Sequence, residues 1–246
     1  MGIAFHEILY RPIFNLLVFA YNAIPGHDLG IAIILVTLVV RIILHPLSHK
    51  AIKSQKALEA LQPKIKEIQE KHKAKEDRAR AVMEFYKENK INPASSFVPI
   101  LLQLPLFFAL YRVFLSGLNT ESLSALYPFI SNPGELKTMF LGIVNIAHPN
   151  AALAVLTGVA QFFQSKAMVQ KKDGTQGSSS GSPRARGEAG SPEIAKMMSK
   201  QMMYVMPLFM VFIAWRLPAG LAIFWIVTSL FSYLEYRLIH KRLQTP

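Results

Sequence analysis

The sequence predicts an all-α integral membrane protein: a five-transmembrane-helix bundle with an outer interfacial helix and a cytoplasmic helical hairpin. Three observations carry this reading. Of the 246 residues 52% are hydrophobic and only 17% charged, with a mean hydropathy of +0.29, a balance that suits lipid better than water as solvent. The apolar residues gather into long continuous runs instead of alternating as barrel strands do, and backbone groups inside a bilayer must find their partners within the protein. The 27 Lys and Arg residues fall mostly in alternate connections between those runs.

Residues 1–28 come first. "MGIAFHEILYRPIFNLLVFAYNAI" lacks a basic n-region and a small-residue cleavage site, so a cleaved signal peptide is not expected. Its polar residues fall early, and Ile13 to Ala23 is short for a span of about 20 residues, which favours an amphipathic helix in the outer interface. Spans are expected at 29–47, 97–117, 149–169, 202–217 and 219–239. Pro46, Pro99, Pro105 and Pro207 are expected to mark kinks or helix ends, and Pro218-Ala219-Gly220 to turn the chain between the last two spans.

Orientation follows from the cations. Residues 48–96 carry twelve Lys and Arg, residues 166–201 seven and the tail from Arg237 three, whereas the 118–148 loop holds only Lys137. Alternating spans put the twelve, seven and three on one side, which predicts N-out and C-in with 240–246 as a cytoplasmic tail. Arg112 and Arg216, near the expected outer span ends, read as snorkelling residues. In the first cytoplasmic loop Leu58, Leu61, Ile65 and Ile68 recur at helical spacing, with Val82, Met83, Phe85 and Tyr86 as a facing surface and a turn near 73–77. That hairpin is either a solvated spacer or a docking surface. The second, 170–201, is rich in Gly, Ser and Pro and is expected to be largely disordered.

Several chemistries are excluded or disfavoured. The chain has no cysteine, hence no disulfide and no thiolate nucleophile, and it contains neither a phosphate-binding G-x-x-x-x-G-K-[ST] loop nor H-E-x-x-H nor G-x-S-x-G. His45 and His49 have metal-compatible spacing, but Pro46 lies between them and no carboxylate is near in sequence, so no metal and no cofactor is expected. The net charge of +12 is explained by topology and anionic lipid, without specific nucleic-acid recognition.

One cation is out of place. Arg41 lies twelve residues into the first run, roughly 18 Å deep, and shares a helix face with Thr37, His45 and Ser48. Spans one to four contain no acid, and Glu235 is assigned to the cytoplasmic end of span five, so Arg41 is expected to lack a carboxylate partner. A guanidinium in hydrocarbon costs at least ~2.5 kcal/mol. A water-filled recess removes that cost; snorkelling, backbone carbonyls or a lipid phosphate are the alternatives. Gln103, Gln161, Gln164 and Trp225 are further polar groups at membrane depth, suited to lining a recess or to bonding helices together. Methionines cluster at Met197, Met198, Met202, Met203, Met206 and Met210, as an adaptable apolar surface or as ordinary packing.

Taken together, "LVTLVVRIILHPLSHKAIKSQKALEALQPKIKEIQEKHK", "INPASSFVPILLQLPLFFALYRVF" and "LPAGLAIFWIVTSLF" resemble the core of the YidC membrane protein insertase family, in the right order and over about residues 10 to 240. The resemblance implies a hydrophilic groove open to cytoplasm and lipid, with Arg41 as its arginine, Thr37 as its threonine one turn earlier, Trp225 as the groove aromatic of the last span and Gln103 in the matching Q-x-P. Gln161 and Gln164 are added from this sequence alone. The family often reads Ser-Asn at Thr228-Ser229 and Gln at Glu235, so no roles transfer there. A large extracytoplasmic domain and a long basic tail are absent from this sequence, which puts tail-mediated ribosome docking in doubt. The implied activity is insertion and folding of nascent membrane proteins in the bacterial cell membrane, without covalent chemistry or nucleotide hydrolysis. The implied partners are nascent substrates and lipid, with the ribosome and a secretion channel as candidates. A small-solute channel or transporter is the rival, which inverted repeats or a paired intramembrane acid would favour, and a structural scaffold is a third reading.

Overall fold

The computed structural model describes residues 6–72, 74–90, 92, 98–115, 125–169 and 192–242. A π-helical turn, His6–Tyr10, leads into α1 (Arg11–Ala23); α2 (Leu29–Lys71), α3 (Lys75–Glu88) and α4 (Val98–Leu115) follow. The two-residue strands β1 (Met139–Phe140) and β2 (Val144–Asn145) pair antiparallel, and α5 (Ala151–Val169), α6 (Pro192–Ala214) and α7 (Ala219–Arg242) complete the chain. The chain divides into two compact units, the first of residues 1–41 and 107–246, the second of residues 42–106.

In the first unit, α1 is thirteen residues, about 20 Å, too short for the ~30 Å hydrocarbon core. Its apolar stripe buries Phe14, Leu17, Val18 and Tyr21, and Asn15 is buried among them. The chain from 125 to 150 is tied to this helix and to the starts of α2 and α7. Asn15 Nδ2 donates to Ala125 O at 3.0 Å while its Oδ1 accepts from Tyr127 N at 2.6 Å. The Asn22 amide donates to Ser131 O at 2.8 Å, and Tyr21 Oη accepts from Lys137 N at 2.9 Å. Asp28 accepts from Ile31 N at the start of α2 and, through its other oxygen, from Leu141 N at 2.6 Å. At the start of α7, Ala219 N donates to His148 O and Gly220 N to Ile146 O, both at 3.0 Å. Asn150 accepts from Leu153 N as α5 begins. Thus α2, α5 and α7 all start at one end of this unit, and that end is clamped. Arg112 is held here as well, its guanidinium 5.0 Å from the Tyr10 ring centre, a packing partner the sequence did not suggest.

Helix α5 packs against both α6 and α7. Small residues let the backbones approach: Ala154, Ala214 and Ala222 form a buried cluster bordered by Leu153, Val211 and Trp225. At Gly158 an added Cβ would run into Val211, with Pro207 O 3.2 Å away. The outside is apolar: Leu35 and Val39 of α2, Val155, Leu156 and Val159 of α5, Leu208 and Phe212 of α6, and Leu230, Leu234 and Leu238 of α7 are exposed. Helices 29–58 and 219–239 are long and apolar enough to cross a membrane, with shorter apolar stretches at 103–114 and 203–214.

The second unit contains the rest of α2, α3 and the start of α4. Leu58 and Ile65 of the expected helical stripe are buried, whereas Met83, expected on the facing surface, is exposed. After α2 ends, His72 Nδ1 bonds Ile68 O at 2.9 Å and Arg78 Nε donates to His72 O at 3.3 Å, which closes the turn into α3.

Helix limits depart from the expected spans in two places. Pro46 and Pro63 lie inside α2, which runs on from the apolar segment to Lys71, so Pro46 is not a helix end. Helix α6 starts at Pro192, inside the segment expected to be loop, and proline is favourable at a first helical position. Residues 170–191 lie outside the described residues.

Candidate functional site

Polar side chains collect inside the first unit. Thr37 is fully buried, and its hydroxyl donates to Ile33 O at 2.7 Å, one turn back on its own helix. That internal bond lets a hydroxyl sit in an apolar setting without an unmet donor. Arg41, one turn further along α2, is half-buried.

On α7 the residues Trp225, Thr228, Ser232 and Glu235 are spaced by three, four and three, so they share one face. Trp225 is half-buried and stacks on Phe107 of α4, ring centres 5.3 Å apart at 22°. Thr228 Oγ1 is buried and, among the described residues, is the side-chain polar atom left without a hydrogen-bond partner. A buried hydroxyl in that state calls for water or a ligand group. Glu235 is only 4% exposed and attracts Arg41 electrostatically. The expectation that Arg41 lacks a carboxylate partner is therefore corrected. The reason is geometric: counted from the same clamped end, Arg41 lies twelve residues into α2 and Glu235 sixteen into α7, roughly 18 and 24 Å deep at ~1.5 Å per residue.

Gln161 of α5 is half-buried, and its Oε1 accepts from Ser229 Oγ of α7 at 3.2 Å, an interhelical bond beside the polar face. Thr157, one turn earlier, donates to Leu153 O at 2.8 Å and approaches Ala222 O at 3.4 Å. Gln164, one turn less a residue beyond Gln161, is half-buried. The sequence-predicted residues Thr37, Arg41, Gln161, Gln164 and Trp225 thus all belong to the first unit. Gln103 belongs to the second, where it is half-buried on α4. His45 and His49, also in the second unit, contact edge to face at 6.1 Å, and no group of three metal-ligating side chains occurs among the described residues.

Glu235, Thr228 and Ser229 were not singled out by sequence reasoning. The signal was there: the 225, 228, 232, 235 spacing is the same kind of stripe that picked out Thr37, Arg41, His45 and Ser48 on α2. Chemically, the arrangement offers a fixed cation, a buried carboxylate, an unmet hydroxyl and an aromatic wall. It can hold water and bind charged or amphipathic groups.

Comparison with known proteins places the sequence in a family. A family model described as 60Kd inner membrane protein matches residues 19–245. A protein of Fusobacterium nucleatum named membrane protein insertase YidC is 32% identical over 237 residues, covering 95% of this chain and 98% of its own length. The protein of that name from Oceanobacillus iheyensis is 32% identical over 86% of this chain and 74% of its own length. The one from Geobacter metallireducens is 28% identical over 98% of this chain, which spans 38% of that longer protein.

Proposed function

Because the chain belongs to the 60Kd inner membrane protein family, the family of the YidC insertases, we propose that it inserts nascent membrane proteins into the bacterial inner membrane and assists their folding. The observation that carries the mechanism is a cation held among buried polar groups inside a unit whose outer surface is apolar. Thr37, Arg41, Gln161, Gln164 and Trp225 line a water-filled groove open to cytoplasm and lipid. A short polar segment of the client enters it, Arg41 attracts the client's acidic groups, and the desolvation cost of crossing falls. The client's apolar segment then passes into lipid along the open side, and its hydrophobic transfer supplies the drive. The membrane potential assists acidic segments moving outward. No bond is made or broken, and no nucleotide is consumed.

In this reading the chain crosses the membrane five times, N-out and C-in, with α1 lying in the outer interface and the clamped end facing outward. The ribosome and a secretion channel are candidate partners. A small-solute transporter is the second reading, favoured by one observation, the buried acid Glu235 beside Arg41.

The test is rescue of an insertase-depleted bacterium by the wild type, Arg41→Lys and Arg41→Ala, with a stalled nascent chain crosslinked to positions 37, 41 and 225. Wild-type rescue with crosslinks at those positions is expected. A wild type that neither rescues nor crosslinks defeats the insertase reading, and solute flux through proteoliposomes without client insertion establishes the transporter.

A further inference from the structure

Glu235 has no part in the mechanism just described, yet a buried carboxylate needs a reason. It is 4% exposed, on a helix whose neighbouring residues Leu234 and Leu238 face outward. Ionised and unpaired in that position it would carry a large desolvation cost, as Arg41 would. Both helices begin at the clamped end, through the Asp28 bond to Leu141 N and the Ala219 bond to His148 O. The difference in depth between the two residues is four helical positions, about 6 Å, which two long side chains can bridge. Trp225, Thr228 and Ser232 continue the Glu235 face back towards the clamped end, and Thr37 continues that of Arg41.

We propose that Glu235 is the resident counter-charge of Arg41: it occupies part of the guanidinium in the empty groove and yields it to an acidic group of a client segment, so that this carboxylate helps to set which segments the groove accepts. The client half of this proposal rests on the insertase reading; the pairing half does not. The stoichiometry permits exchange without a bare charge. A guanidinium offers five N–H donors and one carboxylate takes two, so a client acid can bind before Glu235 is released. Glu235 also discriminates between clients, since an acidic segment must compete with it for the guanidinium while a neutral polar segment need not.

This has a consequence for the arginine itself. Removing Arg41 alone strands a buried carboxylate, so an Arg41→Ala defect mixes lost client attraction with a damaged bundle. The paired change Arg41→Ala with Glu235→Gln separates the two.

The experiment uses the full chain. Unfolding midpoints in detergent are measured for the wild type, Arg41→Ala, Glu235→Gln and the double variant, and Arg41→Lys is included as a charge-preserving control should Arg41→Ala fail to fold. A stalled client carrying either two Asp or two Asn in its polar segment is then crosslinked to position 37 in the wild type and in Glu235→Gln. The expected result is coupling: the double variant is more stable than the two single losses predict, and Arg41→Lys stays close to the wild type. Glu235→Gln is expected to raise the Asp-to-Asn crosslinking ratio about fivefold or more. Additive midpoints overturn the pairing. An unchanged ratio overturns the competition with clients. Neither result bears on rescue by the wild type, which decides the insertase reading separately.

Discussion

Asn15 is the residue whose loss should be felt most at the clamped end. It is 1% exposed and makes three bonds: Nδ2 donates to Arg11 O at 2.7 Å and to Ala125 O at 3.0 Å, and Oδ1 accepts from Tyr127 N at 2.6 Å. Asn15→Leu keeps the branched outline, at a somewhat larger volume, and removes all three. Ala125 O keeps a second donor, Arg11 Nε at 3.1 Å, so it is not abandoned. Tyr127 N has no such substitute among the described bonds, and an unmet N–H costs about 1–3 kcal/mol. With about 0.5–1.5 kcal/mol for the lost bond to Ala125 O the sum runs over about 1.5–4.5 kcal/mol, and at its centre the loop is loosened by about 2–3 kcal/mol. Hydrogen exchange in detergent reads this directly, because 1.4 kcal/mol is a factor of ten: the Tyr127 amide should exchange about 30- to 150-fold faster. Amides near Gly158, on the packed helices, should change little. If Tyr127 retains its protection within about threefold, Asn15 does not hold the loop and the account of the clamp is wrong.

Three further expectations follow from other contacts. Gly158→Val drives a branched side chain into Val211 and against Pro207 O, so α5 and α6 should separate, and thermal unfolding in detergent should occur earlier by the equivalent of about 1–3 kcal/mol. Hydrogen bonds from His6 and then Arg11, at 3.0 Å each, hold the exposed Glu7 carboxyl below its ordinary value of 4.5, so its contribution is complete above that value and is lost as pH falls through the lower folded value. NMR titration of the Glu7 carboxyl carbon should give a midpoint under 4.5, moving upward in Arg11→Ala. The chain has no cysteine, so any disulfide in Asn22→Cys with Ser131→Cys, where the Asn22 amide meets the Ser131 carbonyl at 2.8 Å, is the introduced one and is read by a thiol-labelling gel shift. Once it has formed, an insertase that works from the other end should still rescue, and loss of rescue on oxidation would show that the clamp must open.

Much of this was legible because two periodicities dominate the sequence. Continuous apolar runs name the helices, and the four-residue recurrence of Thr37, Arg41 and His45 names a polar face. What escaped has specific causes. Glu235 was read as a residue towards the cytoplasmic end, and it does lie sixteen residues from the clamped start of α7; what escaped is its burial, because packing of that face against other helices is not written in a single apolar run. The start of α6 at Pro192 was hidden by a composition rich in Gly, Ser and Pro just before it, although Pro at a helix start is favourable. The clamp was invisible because most of its bonds join residues far apart in the chain, such as Asn15 with Tyr127, Asp28 with Leu141 and Ala219 with His148, and each uses a backbone group, which leaves no pattern in a single sequence.

Depth orders the interior of the first unit in a way that bears on the proposed groove. Near the clamped end the buried residues are Leu29, Ala32, Ile33 and Val36 of α2, Leu221 and Phe224 of α7 and Ala154 of α5. Beyond them come Thr37, then Gln161 with Ser229, then Arg41 and finally Glu235, so polarity rises with distance from that end. A polar recess spanning the bilayer would leak ions, since a continuous file of water removes the dielectric barrier. A largely apolar layer roughly 12 Å deep, eight residues at ~1.5 Å, lies between the clamp and Thr37. Thr157 falls within it but turns its hydroxyl back to Leu153 O, so in the proposed groove the layer keeps that barrier on one side. In the proposed groove the same layer accounts for the place of the fixed charges: closer to the clamp they would meet mostly hydrocarbon side chains, and at a far end open to the cytoplasm they would be lost to bulk water. For an insertase the useful position is between, where a client's acidic group is already partly dehydrated and a fixed guanidinium attracts it more strongly than in water.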